Sequence, residues 1–134
     1  MELDRIIESL KAPLKLNGYK KKNTTWFKIN DEITLVFNIQ KSQYDSSLWY
    51  YNFGAGINEL ESRPISSVSV CHITERLDMK PGGKELTPDI LLKAIMNWEN
   101  KYGNIHELRI RAVEGKLPKT TKRQAEEYLT TVKF

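Results

Sequence analysis

The chain has 134 residues, 40% of them hydrophobic and 28% charged, with a formal net charge of +4 at pH 7. This length and balance predict a soluble globular domain with its own core, and they exclude a disordered chain. No apolar run reaches the roughly 20 residues of a membrane span, so we expect no membrane association. Residues 1–5 lack the features of a signal peptide, and a single cysteine excludes an internal disulfide. We therefore expect a reducing, cytoplasmic location.

The N-terminal half predicts a helix followed by a run of strands. Apolar residues at helical spacing indicate a helix from about Glu2 to Ala12, which Pro13 should end. Alternating, β-branched and aromatic segments then predict four strands, over residues 19–23, 26–29, 33–40 and 48–57. Gly54 and Gly56, inside the last of these strands, indicate a bulge or a close backbone contact.

Three polar stretches are predicted to be loops that connect the strands of this sheet. One more strand is predicted between the last two loops. Residues 42–47, 58–67 and 79–85 are loops by composition. The remaining strand lies between the last two loops, over residues 68–77, and it contains the single cysteine.

The C-terminal third is predicted to be helical. Thr87 supplies an N-cap, a proline follows at the first helical position, and Gly103 ends this helix. Residues 105–114 fit either a helix or a strand, and Thr121 caps a final helix. We therefore predict that residues 1–134 form one α+β domain. Its mostly antiparallel sheet of about five strands carries the N-terminal helix and the C-terminal helices on one face.

Strand periodicity places an unusual set of polar side chains on one face of the central strands. Side chains two residues apart share a face, so three neighbouring strands in matching register would bring the set together. The set is Asn38, Gln40, Tyr50, Asn52, His72, Thr74 and Arg76. Residues of the opposite parity, including Phe37, Tyr51 and Cys71, should pack against the helices.

Three interpretations of this polar face are open. One face of an antiparallel sheet is normally solvated, so the set could be an ordinary exposed surface. As a ligand-contacting surface it would use the guanidinium of Arg76, which suits a carboxylate or a phosphate. A catalytic role for His72 lacks an acidic partner at a fixed spacing, because Glu75 has the opposite parity.

Two basic clusters account for the net positive charge. They contain Lys20, Lys21 and Lys22, and Lys116, Lys119, Lys122 and Arg123. Such clusters attract phosphates or acidic protein surfaces, and they also keep small domains soluble. Together with an aromatic residue such as Tyr50, they are typical of single-stranded nucleic-acid binding. His72 and His106 are too few and too isolated to predict a zinc site.

Five short motifs follow one another through the chain. They are LKLNGYKKK from Leu14, WF from Trp26, FNIQKS from Phe37, YNFG from Tyr51 and CHITERL from Cys71. Together these motifs resemble the bacterial domain-of-unknown-function 4304 family, over roughly residues 3–113, with residues 116–134 as a helical extension. The resemblance implies a small cytoplasmic α+β domain, and it supplies no catalytic residue, cofactor or substrate.

We interpret the chain as a non-enzymatic module that binds another protein, in an immunity-type or regulatory role. The positive charge counts against an immunity role toward a basic nuclease. The alternative is binding of RNA or single-stranded nucleic acid through the basic clusters and Tyr50. A small-anion site or an enzyme centred on His72 and Arg76 is the third hypothesis. The sequence leaves the partner's identity and the oligomeric state open.

Overall fold

The computed structural model describes residues 2–41, 49–78 and 87–131. The loops predicted over residues 42–47 and 79–85 lie outside these described residues, as does Leu48. The elements are α1 (Glu2–Leu16), β1 (Lys20–Lys22), β2 (Thr25–Ile29), β3 (Ile33–Lys41), β4 (Trp49–Ile57), β5 (Ile73–Asp78), α2 (Pro88–Tyr102), α3 (Ile105–Val113) and α4 (Arg123–Thr131).

The strands form one five-stranded antiparallel sheet in the order β1-β2-β3-β4-β5. Each strand therefore pairs with its neighbours in the sequence, and β1 and β5 are the two edges. Only short turns are needed between such strands; β1 and β2, for example, are joined through Asn23, whose φ of 57° an asparagine tolerates. This architecture confirms the predicted α+β class and the predicted number of strands.

The main core lies between one face of the sheet and the helices. The rings of Trp26, Phe37 and Phe53 follow one another across β2, β3 and β4, with centroids 5.6 and 5.2 Å apart. The ring of Phe53 then meets Trp98 of α2 at 5.8 Å. The other helices contribute Leu10, Leu14, Leu108, Ala112, Ala125 and Leu129 to the same cluster. The predicted packing of N-terminal and C-terminal helices on one face is therefore confirmed.

Helix α1 continues through Pro13 to Leu16, so the prediction that proline ends this helix was wrong. An internal proline costs a helix about 3 kcal/mol. Leu10 and Leu14 are 1% and 0% exposed, and burial of each leucine is worth roughly 1.5–3 kcal/mol. Packing therefore offsets the cost. The chain leaves the helix at Gly18, whose φ of 89° is readily adopted only by glycine.

The strand predicted over residues 68–77 is shorter than expected. Residues 68–70 form a 3₁₀ turn, and β5 begins only at Ile73. Cys71 belongs to a second, smaller buried cluster with Val36 and Ile65. Val36 faces away from the helices, so the prediction that Cys71 packs beneath them was wrong. The segment before β5 instead folds across the opposite face of the sheet.

Two glycines of β4 make room for this crossing segment. A Cβ on Gly54 would lie 2.6 Å from Sγ of Cys71, and a Cβ on Gly56 would lie 2.3 Å from Cδ1 of Ile65. Atoms do not approach this closely without displacement, so a larger residue at either position requires Cys71 or Ile65 to shift. The close backbone contact predicted for this Gly-x-Gly pair is confirmed.

Residues 105–113 form helix α3, which decides between the two conformations that the sequence allowed. The side-chain oxygen of Asn104 accepts hydrogen bonds from the backbone N–H groups of His106 and Glu107 at 2.8 and 3.2 Å. This cap satisfies donors that a helix start leaves without partners, and it favours the helix over a strand. Among the described residues, no helix has the length and apolar character needed to cross a membrane.

Candidate functional site

Five polar residues lie directly opposite one another and form one row across the whole sheet. The row runs from Lys22 on β1 through Thr25, Asn38 and Asn52 to Arg76 on β5. Directly opposed residues share a face, and neighbouring strands are about 4.8 Å apart, so the row spans ~19 Å. We call these five residues the polar row. It joins three residues of the predicted binding face to one lysine of the first basic cluster.

Side-chain hydrogen bonds connect four of the five members of the polar row, from Thr25 to Arg76. Asn38 Nδ2 donates to Oγ1 of Thr25 at 2.9 Å, and Asn52 Nδ2 donates to Oδ1 of Asn38 at 3.2 Å. Nε of Arg76 donates to Oδ1 of Asn52 at 2.8 Å. Asn52 Nδ2 also reaches Oε1 of Gln40 at 3.2 Å. The Asn52 side chain is only 6% exposed and has partners for both of its polar atoms, so it anchors the network.

Arg76 is held in place from two directions. Its guanidinium carbon lies 4.4 Å from the centre of the Tyr50 ring, and its Nε is bound by Asn52. Arg76 is nevertheless exposed, and within the described part of the chain it makes no other hydrogen bond or ion pair. The bond at Nε leaves the terminal nitrogens for a ligand. The result is an ordered cation at the end of the polar row.

The structure does not bring His72 to the polar row. Its side chain is 1% exposed, and Nδ1 accepts a hydrogen bond from the backbone N–H of Ile57 at 2.9 Å. The backbone of His72 donates to the carbonyl of Ala55 and accepts from the N–H of Lys122, at 3.1 and 2.8 Å. Because a neutral imidazole that accepts at Nδ1 carries its proton on Nε2, the tautomer is defined. His72 therefore extends the β4–β5 ladder by one residue before the start of β5.

The second nitrogen of this histidine is enclosed without a hydrogen bond. Nε2 of His72 has no hydrogen-bond partner among the described residues, and it lies 3.7 Å from the carboxylate of Glu61. Burial lowers the pKa of His72 below its ordinary value, although the charge of Glu61 acts in the opposite direction. The histidine is thus held in its neutral form. Thr74, the remaining member of the predicted face, lies opposite Gly54 in the adjacent row.

Cys71 has the environment of a buried structural thiol. It is fully buried, and burial raises the pKa of its thiol to about 12. A thiol with this pKa stays protonated at neutral pH and is a poor nucleophile or metal ligand. Within the described ranges, no three His, Cys, Asp or Glu side chains are grouped so that they could hold a metal ion.

The two basic clusters lie at opposite edges of the sheet. Lys20–Lys22 form the exposed edge strand β1. The backbone of Lys122 is bonded to His72, just before the other edge strand, β5. Nε of Arg123 lies 3.0 Å from a carboxylate oxygen of Glu127 on α4, and Lys119 is exposed. The full width of the sheet, roughly 19 Å, therefore separates the clusters.

A cleft of about 760 Å³ lies between the C-terminal half of α1 and strand β1. It is lined by Lys11, Ala12, Lys15, Gly18, Tyr19, Lys20, Lys21 and Trp26. The sequence did not predict this cleft. Lys11 and Lys15 stand four residues apart and so share a helix face, but no local signal places that face beside β1.

These features define an α+β domain that presents a hydrogen-bonded polar row on the sheet face opposite its helices. The chain belongs to the family described as Domain of unknown function (DUF4304), which it matches over residues 10–127. The match includes all the strands and reaches into α4. It confirms the resemblance that the sequence motifs indicated. No curated protein and no solved structure matches the chain.

Proposed function

We propose that this protein is a non-enzymatic module that binds another protein through its polar row. The observation that supports the proposal is Arg76, which is exposed and yet fixed by Asn52 and Tyr50. Arginine and tyrosine are prominent among the residues that dominate binding energy at protein interfaces. A side chain that is ordered before binding also loses less conformational entropy in the complex. Arg76 thus has the properties of an interface anchor.

The chemistry of the polar row indicates which partner surface would fit. The amides of Asn38 and Asn52 are bonded to their neighbours, so they stiffen the surface rather than offer new donors. The ends of the row are cationic, with Lys22 on one edge and Arg76 on the other. A partner with carboxylates facing these ends would match it. We propose an immunity-type or regulatory role toward an acidic partner, in the cytoplasm of a bacterium.

The alternative, binding of RNA or single-stranded DNA, depends on different residues. It uses the second basic cluster as well as the first, and these lie on opposite edges of the sheet. The third hypothesis placed His72 and Arg76 in one site. Because His72 is buried beside Ile57 whereas Arg76 extends the polar row, we do not propose a shared reaction for them.

Replacement of Arg76 by alanine should weaken partner binding about thirtyfold or more, because truncation of a dominant interface arginine costs about 2 kcal/mol or more. The tagged chain is used to capture partners from its native host, and the affinity of the recovered complex is then measured for each variant. Arg123→Ala is the matched control, because Arg123 is also exposed and its pairing with Glu127 on α4 contributes little.

The outcomes separate the hypotheses. A stoichiometric protein partner, lost with Arg76→Ala and kept with Arg123→Ala, supports the proposal. Capture of no partner, or equal losses for the two variants, contradicts it. Binding of RNA or single-stranded DNA that falls steeply with salt and weakens with Arg123→Ala would favour the alternative instead.

A further inference from the structure

We propose that the cleft between α1 and β1 binds a small molecule that carries two or more phosphate groups. We call it the lysine cleft, and its lining residues are those given above. Its volume of about 760 Å³ falls within the range of small-molecule sites. It is separate from the polar row, since Lys21 lies opposite Trp26 on the helix side of the sheet and Lys22 lies opposite Thr25 on the other side.

The charge of the lysine cleft is strongly positive. Four of its lining residues are lysines and none is acidic. Among the described residues, Lys11 alone of the four has a carboxylate within ion-pair distance, that of Glu8 at 2.9 Å. Lys20 lies opposite Phe27, so its side chain belongs to the other face of the sheet. Lys11, Lys15 and Lys21 less one glutamate leave two positive charges, which complement a ligand with several negative charges. Lysine ammonium groups are common partners of phosphate oxygens.

Lysines stand on both walls of the cleft. Lys11 lies on α1 and Lys21 on β1, and both line the same cleft. A ligand bound between α1 and β1 would therefore meet ammonium groups from two sides. Lys15, one turn beyond Lys11 on the helix, extends this wall of the cleft.

The floor of the cleft is rigid and largely apolar. Trp26 and Tyr19 are only 1% and 5% exposed, so they are fixed by the core beneath them. Nζ of Lys21 lies 5.6 Å from the centre of the Trp26 ring, which orients this lysine over the floor. The carboxylate nearest to Tyr19, that of Glu99, is neutralised by Lys28 at 2.9 Å. Ala12 and Gly18, which lack large side chains, also line the cleft, and the non-phosphate part of a ligand would lie against this apolar floor.

The test is calorimetric titration of the purified chain with ATP and with inorganic triphosphate, at 50 and 200 mM salt. We expect both probes to bind, more weakly at the higher salt, because the attraction is between charges. The double variant Lys15→Gln/Lys21→Gln should weaken binding at least tenfold, and Lys15→Gln alone, which leaves the contact with Trp26 in place, should weaken it severalfold. Arg76→Ala should bind both probes as the parent does.

The matched control is Lys93→Gln/Lys101→Gln, which removes the same charge from exposed positions on α2. Circular dichroism and the thermal midpoint establish that each variant is folded. Loss of binding in the cleft variant alone supports the proposal. Absence of binding by both probes at 50 mM salt overturns it, as do equal losses in the cleft and control variants. Tighter binding of a polyglutamate peptide or of RNA than of either probe would also overturn it, in favour of a macromolecular ligand.

Discussion

Replacement of Gly54 by alanine should destabilise the fold by about 2 kcal/mol, within the cost of inserting one extra carbon into a packed core. The new Cβ would lie 2.6 Å from Sγ and 2.9 Å from Cβ of Cys71, and 3.6 Å from the backbone of Val68. Neither atom of Cys71 is the flexible end of a long side chain, so relief requires the crossing segment to move away from the sheet. Urea denaturation at neutral pH measures this as a lower midpoint.

Two companion variants test the proposed cause. Gly56→Ala should destabilise less, because its closest contact is Cδ1 of Ile65, the end of a side chain that can rotate. Adding Cys71→Ala to Gly54→Ala removes the sulfur, and the double variant should be more stable than the sum of the two single effects predicts. A Gly54→Ala variant as stable as the parent, or strict additivity with Cys71→Ala, would contradict the packing that we describe.

The crossing segment also shows where the sequence was informative and where it was not. The glycines of β4 predicted a close contact, but nothing local identified residues 65–71 as the segment that makes it. Val68 and Val70 alternate with serines in the pattern of a strand, so the sequence predicts a strand that already begins at residue 68. Residues 65–71 cross the sheet face instead of continuing the strand because they become buried against Val36, which is distant in sequence. Cys71 consequently lies on the face opposite to the one predicted, and His72, predicted for the polar face, is buried beside Ile57.

The polar row was more predictable, because alternation within a strand is a local property. Asn38 and Asn52 lie on the face that their parity assigned, and antiparallel pairing then places them opposite each other. What periodicity could not supply is register, which puts Lys22 and Arg76 in the same row. The lysine cleft could not be predicted from periodicity, because it forms only when α1 packs beside β1. That contact depends on the helix passing through Pro13, against its local preference.

Removal of the His72 side chain should cost the fold roughly 3 kcal/mol. His72→Ala leaves a cavity and also deprives the backbone N–H of Ile57 of its acceptor, and a buried unpaired donor alone costs about 1–3 kcal/mol. His72→Asn is the matched variant, because its Oδ1 can accept the same hydrogen bond and cannot titrate. We expect it to retain more stability than His72→Ala in urea denaturation at pH 7.5. The reverse order would show that Ile57 does not depend on this acceptor.

The His72 side chain also makes the stability of the fold depend on pH in a defined direction. Because the pKa of His72 is lower in the folded chain than its ordinary value of 6.5, the unfolded chain binds more protons as the pH falls through this range. The free energy of unfolding should therefore be unaffected by His72 above about pH 7 and should decrease below pH 6.5. Glu61 limits the loss by attracting the protonated ring, whereas Lys122 adds to it by repulsion.

His72→Asn isolates this effect, because the chain's other histidine, His106, is present in both proteins. Urea midpoints measured between pH 7.5 and 5 should fall more steeply for the parent than for the variant, and the two curves should be parallel above pH 7. Adding Glu61→Gln to the parent should steepen its fall further, because the attraction that offsets protonation is then lost. Equal slopes for parent and His72→Asn would mean that His72 is protonated as easily in the fold as in the unfolded chain, and that its enclosure beside Ile57 does not hold in solution.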